Sequence, residues 1–342
     1  MTLVYFILIL GITILIHEFG HYIWAKKMGV YVYEFSIGMG PRLCKWVKGE
    51  TEYSLRLLPI GGYVSLAGEE AEENKKIPKG KSLQDKGFLQ NIVIMAAGVL
   101  NNFILAVFIL FIVGLFTGYT NHKPIVKEVT IGGPAYVSGI MEGDKIVKVN
   151  GHHVGNTDKL LLELTILKSD DITITVKRGK DYKEVTLNTN KEEIDGKVSY
   201  HMGFSLDDTN TKGFIPAIKY AFTKFISLFE QMIFILIYLF GGKLALNNLS
   251  GPVGIYVLVG SVAKTGFLNI LYLMAYISIN VGIINILPFP AFDGGRIFML
   301  TIEKITGKKI SQKVENLINT IGFILLMLLM FYVTFNDITN LF

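Results

Sequence analysis

Four stretches of this chain are apolar for long enough to cross a lipid bilayer, and they constrain its fold more than any other feature. They run from about Leu3 to Ala25, Ile92 to Gly118, Phe267 to Phe289 and Leu317 to Phe335. A helix rises about 1.5 Å per residue, so each can cover a hydrocarbon core of about 30 Å. Composition agrees: 51% of the 342 residues are hydrophobic, and mean hydropathy is +0.46. Charged residues make up 18%, below the roughly 25% usual in soluble domains. A disordered, collagen-like or wholly soluble chain is excluded. A single cysteine, Cys44, excludes an internal disulfide framework and a cysteine-rich zinc finger. The first stretch is no ordinary secretory signal, because no basic residue precedes it and His17, Glu18 and His21 lie inside it.

Basic residues set the orientation. Lys26, Lys27, Arg42, Lys45 and Lys48 follow the first stretch, Lys75, Lys76, Lys79, Lys81 and Lys86 precede the second, and Arg296, Lys304, Lys308, Lys309 and Lys313 lie between the third and fourth. The positive-inside rule puts all of them in the cytoplasm, with both termini and residues 119–265 outside. The net charge of +5 thus reads as an orientation signal, and no nucleic-acid partner is expected. Phe214 to Phe240 is also apolar, but Lys219, Lys224, Glu230 and Gln231 interrupt it. A fifth span there would reverse every later helix, so this segment is expected at the outer interface as a helix or broken pair.

Residues 31–67 carry strand signals. Val30–Phe35, Leu43–Val47, Glu52–Leu57 and Gly62–Leu66 are rich in β-branched, aromatic and alternating residues, and glycines and prolines punctuate them. They predict a small β-meander, followed by a polar loop over 68–86. Residues 122–205 predict one small α/β domain, with strands at Ile125–Val129, Lys145–Val149, Ile172–Lys177 and Lys183–Leu187 and a helix at Asp158–Leu167. The expected organisation is a first span over 1–30, meander and cytoplasmic loop over 31–90, a second span over 91–118, the α/β domain over 119–208, interfacial helix and linker over 209–265, a third span and cytoplasmic loop over 266–316, and a fourth span over 317–342.

The sharpest chemical signal is His17-Glu18-Phe19-Gly20-His21. On a helix, positions i and i+4 share a face. Two imidazoles so placed can bind one Zn²⁺, with the intervening glutamate as general base toward a water. Zinc lowers the pKa of a bound water to about 7. Ionisable residues inside a span are costly and mark function by default. A zinc hydrolase takes a third protein ligand, for which Asp293 is the best remaining candidate, in Asn285-Ile286-Leu287-Pro288-Phe289-Pro290-Ala291-Phe292-Asp293-Gly294-Gly295. The prolines end the helix and the glycines relax the backbone. Asp293 could equally be the N-cap of the next helix, or do both.

His17–His21 together with Asn285–Gly295 resembles the site-2 protease family of intramembrane zinc metalloproteases. Phe35–Pro41, Leu58–Val64 and Asn247–Ile255 resemble its bacterial branch of regulator-of-sigma-E-type proteases, and the likeness covers nearly the whole chain. Phe292 and Val99 depart from the usual Leu and Pro, and neither is a proposed ligand. The resemblance implies that His17, His21 and Asp293 bind zinc, that Glu18 activates water, and that Asn285 orients substrate or stabilises an oxyanion. Asn102 reads better as a helix–helix hydrogen bond. Ile131–Ala135 and Gly139–Gly151 resemble a circularly permuted PDZ domain, with Met202-Gly203-Phe204 as its carboxylate-binding loop. His122, His152, His153 and His201 read as surface residues.

The expected protein is a polytopic α-helical membrane protein of four transmembrane helices, with a membrane-associated β-meander and one extracytoplasmic α/β PDZ-like domain. It would sit in a bacterial inner membrane with the active site near the cytoplasmic face. Its substrates would be single-span proteins such as anti-sigma factors, or remnant signal peptides, after an upstream site-1-type protease has acted. Two competing readings are a PDZ binding protein with a degenerate metal motif, which the intact His17, Glu18, His21 and Asp293 oppose, and a metal transporter, for which the spans offer few further ligands.

Overall fold

The computed structural model describes residues 1–69, 79–120, 123–166, 171–188, 190–194, 197–242 and 249–339. The centre of the polar loop (70–78), His122, the Asn247-Asn248 pair and the side chain of His201 lie outside the described residues. The elements, in chain order, are α1 (Thr2–Lys27), β1 (Val32–Lys48), β2 (Thr51–Leu66), α2 (Phe88–Thr117), β3 (Tyr119–Thr120), β4 (Val126–Val129), α3 (Pro134–Val137), β5 (Lys145–Val149), β6 (His152–His153), α4 (Thr157–Ile166), β7 (Asp171–Arg178), β8 (Asp181–Asn188), β9 (Asn190–Ile194), β10 (Lys197–His201), β11 (Phe204–Leu206), β12 (Asn210–Thr211), α5 (Phe214–Phe240), α6 (Pro252–Ala263), α7 (Phe267–Ile286), α8 (Asp293–Thr306) and α9 (Gln312–Thr339). They form two units: 1–110 with 235–342, and 111–234.

The first unit is the helical one. In α1 the buried residues Ile9, Thr13, His17, Gly20 and His21 share one face, and Gly11 meets the Pro59 carbonyl of β2 on another. Lipid gives no hydrophobic drive for helices to associate, so small residues that allow close approach do that work. A Cβ on Gly20 would stand 2.4 Å from the carbonyl oxygen of Ala97, and one on Gly282 2.6 Å from the Phe103 ring. These two glycines let α1 and α7 pass close to α2. Ser278 Oγ, on α7, donates to the Asn102 carbonyl at 2.9 Å.

The expected meander takes a different form. Two long strands, β1 and β2, replace four short ones, and their pairs fall into three ladders of constant register, one of them parallel. As a result Glu34–Ile37 lie opposite both Glu52–Leu55 and Gly62–Ser65, while Cys44–Lys48 lie opposite Thr51–Leu55. The first stretch of the hairpin is thus inserted between its third and fourth, an order no meander has. Gly38, Gly40 and Gly61 carry positive φ, and the bends that redirect the strands fall at or beside them. The hairpin lies along α1, where the hydroxyls of Tyr22 and Tyr53 are 2.6 Å apart.

The second unit is built around an antiparallel sheet of order β6-β5-β7-β8. Alternation in β7 buries Ile172, Ile174 and Val176, as a half-buried strand requires. They join Ile146, Val149, Leu160 and Leu187 in one core, each buried side chain contributing about 1.5–3 kcal/mol. His152 and His153 face opposite ways. His153 is exposed, whereas His152 is half-buried with Nδ1 3.5 Å from the buried Glu163 carboxylate.

Arg178 closes this unit. Its Nε and Nη2 donate to the two oxygens of buried Asp144 at 2.8 and 2.7 Å, and Nη2 also donates to the Gly139 carbonyl at 2.8 Å. Burial would raise the Asp144 carboxyl, but Arg178 and the Met141 N–H outweigh it and hold it below its ordinary range. Arg178→Met leaves that carboxylate buried and unpaired, at a cost of about 3 kcal/mol, and limited proteolysis of the full chain should cut the 130–190 region first. Because the carboxyl is depressed, the wild-type pair's contribution is complete above the unfolded pKa, about 4, and drains as the pH falls below it. Equal protease resistance in the variant at pH 7 would contradict this.

Among the described residues five helices, not four, are long and apolar enough to cross a membrane, and the added one is α5. It is a continuous helix of 27 residues, not a broken pair. Two of the polar residues that interrupt its hydropathy, Lys224 and Glu230, and the nearby Ser227 have partners within the second unit. Lys224 Nζ donates to both Asp158 oxygens at 2.7 Å, Ser227 Oγ donates to Asp158 at 2.6 Å, and Glu230 accepts from Asn156 at 3.1 Å.

Candidate metal centre

His17 and His21 sit one turn apart on one face of α1, and both are buried. Their Nε2 atoms are 3.2 Å apart. The chain reaches them a second time after α7. That helix ends at Ile286, where Leu287 turns extended ahead of Pro288. The turn then folds back tightly. A Cβ on Gly294 would lie 2.2 Å from the Ile286 carbonyl oxygen, and one on Gly295 2.2 Å from that of Phe289. Neither glycine has positive φ, whereas Ala291 does, at 73°. The glycines are required for space rather than for conformational freedom, and the strained residue is an alanine beside the site.

This turn delivers Asp293. The N-cap of α8 is Phe292, and Asp293 is the first helical residue, so its carboxylate is not spent on capping. Oδ2 lies 3.1 Å from His17 Nε2 and 3.3 Å from His21 Nε2. A tetrahedral zinc with bonds of about 2.0–2.2 Å separates its ligand atoms by about 3.3 Å. The three donors already form a triangle with sides of 3.1, 3.2 and 3.3 Å, and Asp293 Oδ2 is buried with no hydrogen bond. Two imidazoles and one carboxylate are a donor set that suits zinc.

The surroundings orient both imidazoles. His21 Nδ1 is 2.9 Å from the Ile94 carbonyl, which makes Nδ1 the protonated nitrogen and leaves Nε2 for a metal. For His17 the corresponding group is the Asn102 amide, 3.4 Å from Nδ1. Its oxygen is otherwise buried without a partner. Amide ends are assigned from their partners, and an oxygen turned to Nδ1–H satisfies both groups. Asn102 thus links α2 to α1, as expected from sequence, and does so at a ring that would be a zinc ligand. Asn102→Ala should weaken zinc affinity about 10- to 100-fold, measured by chelator competition; unchanged affinity would contradict the assignment.

Glu18 lies on the same turn of α1, and its Oε2 accepts the Val64 N–H at 3.2 Å. His17, His21, Asp293 and Glu18 border a cavity of about 530 Å³ that Tyr63–Leu66 of β2 also lines. Asn285 lines it too, as expected. Sequence reasoning missed Glu69, which also lines it and accepts from Arg296 Nη1 at 2.8 Å. It also missed Gly98, where a Cβ would stand 2.4 Å from His21 Nε2 and 2.8 Å from His17 Nε2. Met202, Gly203 and Phe204 belong to the second unit, where the Gly203 and Met202 carbonyls accept from Thr130 and Ala135 at 2.8 and 3.0 Å.

Long apolar helices that bring two histidines, an aspartate and a glutamate to one buried cavity define a zinc metalloprotease of the membrane. Residues 5–329 match the model of Peptidase family M50, and the chain belongs to that family. It is 37% identical to a Clostridium perfringens protein that carries the name of a zinc metalloprotease, over 99% of this chain and 98% of that one. It is 31% identical to the regulator of sigma-W protease RasP of Bacillus subtilis, and 32% identical to the zinc metalloprotease RasP of Bacillus licheniformis, in both cases over 100% of this chain and 99% of the relative.

Proposed function

We propose that this protein cleaves peptide bonds inside the spans of single-span membrane proteins, with Glu18 as general base and His17, His21 and Asp293 as the zinc ligands. The observation that carries the reading is one cavity bordered by the ligand triangle, by Glu18 and by a stretch of strand. Bound zinc would polarise the scissile carbonyl and acidify water. Glu18 would take the proton of the attacking water and return it to the departing amide nitrogen. The Asn285 amide would donate to the developing oxyanion. A substrate helix hides its carbonyls in its own hydrogen bonds, so the bond must first be exposed. The Tyr63–Leu66 stretch of β2 would pair with the unwound segment and hold it extended.

The substrates we infer are anti-sigma factors and remnant signal peptides, trimmed first by a site-1-type protease. Support comes from the Bacillus subtilis relative named as a regulator of sigma-W protease. We assign four crossings, by α1, α2, α7 and α9, in a bacterial inner membrane, with the metal centre toward the cytoplasm. Lys224 of α5, bound to Asp158 of the α/β unit, favours α5 at the outer interface, since Lys224 cannot reach a water-exposed domain from mid-bilayer. The α/β unit is read as a PDZ-like filter against bulky outer domains.

The test is purified zinc-loaded protein in liposomes with single-span substrates lacking outer domains, beside Asp293→Asn. Wild-type cleavage and at least a 100-fold loss in Asp293→Asn, with zinc lost, supports the reading. Equal cleavage by the two overturns it.

A further inference from the structure

The hairpin of β1 and β2 carries a charged cluster that the reaction scheme leaves unused. Glu34, with its side chain 10% exposed, accepts four hydrogen bonds. Ser54 Oγ donates to Oε1 at 2.5 Å and Arg56 Nη2 to Oε1 at 2.8 Å; Tyr63 O–H donates to Oε2 at 2.5 Å and Arg42 Nη2 to Oε2 at 2.9 Å. Arg56 also donates from Nη1 to the Gly40 carbonyl at 2.8 Å and from Nη2 to the Tyr63 hydroxyl at 2.5 Å, and its guanidinium stands 4.9 Å from the centre of the Tyr63 ring. Burial would raise the Glu34 carboxyl, but Ser54, Tyr63 and Arg56 together bring it down to about 2, so it stays a carboxylate wherever the protein works.

A buried ion pair is weak evidence for stability, because desolvation offsets its attraction; its best-attested use is to select one register. Register matters in this hairpin, because Glu34–Ile37 pair with two stretches at once, running parallel to Glu52–Leu55 and antiparallel to Gly62–Ser65, and a one-residue slip turns every side chain to the other face. The cluster ties these three stretches together through Glu34, Ser54, Arg56 and Tyr63, and reaches the Gly40 bend. Tyr63 opens the cavity-lining stretch, and the next residue, Val64, gives its N–H to Glu18. A slip in this stretch would therefore misplace both the substrate-pairing edge and a partner of the general base.

We infer that Glu34 and Arg56 are positioning residues for proteolysis, setting the register of the Tyr63–Leu66 edge against Glu18 and thereby aligning the scissile bond. The inference rests on the proposed intramembrane cleavage. A misplacement of about 1 Å can cost about 100-fold in rate, and it falls on kcat because alignment, not capture, is lost.

The experiment measures kcat, KM and zinc content in liposomes for wild type, Glu34→Gln, Arg56→Gln, the double variant and Tyr63→Phe, with Glu18→Gln alongside. Hydrogen exchange of the 62–66 amides is followed on the same samples. Expected are a 10- to 100-fold lower kcat in Glu34→Gln and Arg56→Gln, KM within about 3-fold, full zinc and at least 10-fold faster exchange over 62–66. The double variant should be no worse than the poorer single one, because the residues act as a unit. Tyr63→Phe, which loses one hydroxyl, should show the same pattern at 3-fold or more and serves if a charge variant fails to fold. A zinc-loaded variant with kcat within 2-fold of wild type, a change in KM alone, or single losses that multiply would overturn the inference. Wild-type cleavage that survives Glu18→Gln would instead overturn the proposed function.

Discussion

Gly98→Ala should abolish zinc binding and proteolysis together. The added methyl would sit 2.4 Å from His21 Nε2, 2.7 Å from His17 Cε1 and 2.8 Å from His17 Nε2. Real carbon contacts settle near 3.5 Å, so a ring must move by about 1 Å. Neither ring is free to do so, because the Ile94 carbonyl holds one and Asn102 meets the other. The donor triangle then opens beyond a tetrahedral fit. We expect at least a 100-fold loss in zinc affinity by chelator competition, with helix content unchanged. Gly155→Ala is the control, since nothing lies within 4 Å of a Cβ there. Retained stoichiometric zinc in Gly98→Ala would show that the donors do not converge as described.

Glu18→Gln should behave in the opposite way, keeping zinc and losing turnover. The converging donor atoms belong to His17, His21 and Asp293, so the amide removes no ligand. Glutamine is also isosteric, and its Oε1 can still accept the Val64 N–H, so the hairpin keeps its place. What disappears is the basic carboxylate. General-base catalysis contributes about 100- to 10,000-fold, and kcat should fall by that factor with KM nearly constant. A loss of zinc, or a fall confined to KM, would assign Glu18 to binding instead.

How much of this was legible in the chain depended on distance along it. His17, Glu18 and His21 share one turn, so their spacing alone predicted a common face. Asp293 was legible through its prolines and glycines and through the family resemblance, although the glycines prove to be needed for space and Phe292 is the cap. Gly98 and Asn102 were not legible as parts of the centre. They approach from α2, about 80 residues away, and one of them acts by having no side chain. The hairpin was recognised by composition, but its strand order was not, because the parallel pairing of Glu34–Ile37 with Glu52–Leu55 follows from no local hydrophobic period. In α5 a sum over a window read Lys224 and Glu230 as interruptions; arranged on a helix they are one polar face with partners.

The most direct test of the central claim is the position of the cut. A single-span substrate is incubated in liposomes with the zinc-loaded protein, and its fragments are weighed by mass spectrometry. The account predicts one scissile bond within the substrate's apolar span, toward its cytoplasmic half, with no fragments from Glu18→Gln. A bond in a water-exposed flank, or the same fragments from Glu18→Gln, would contradict it.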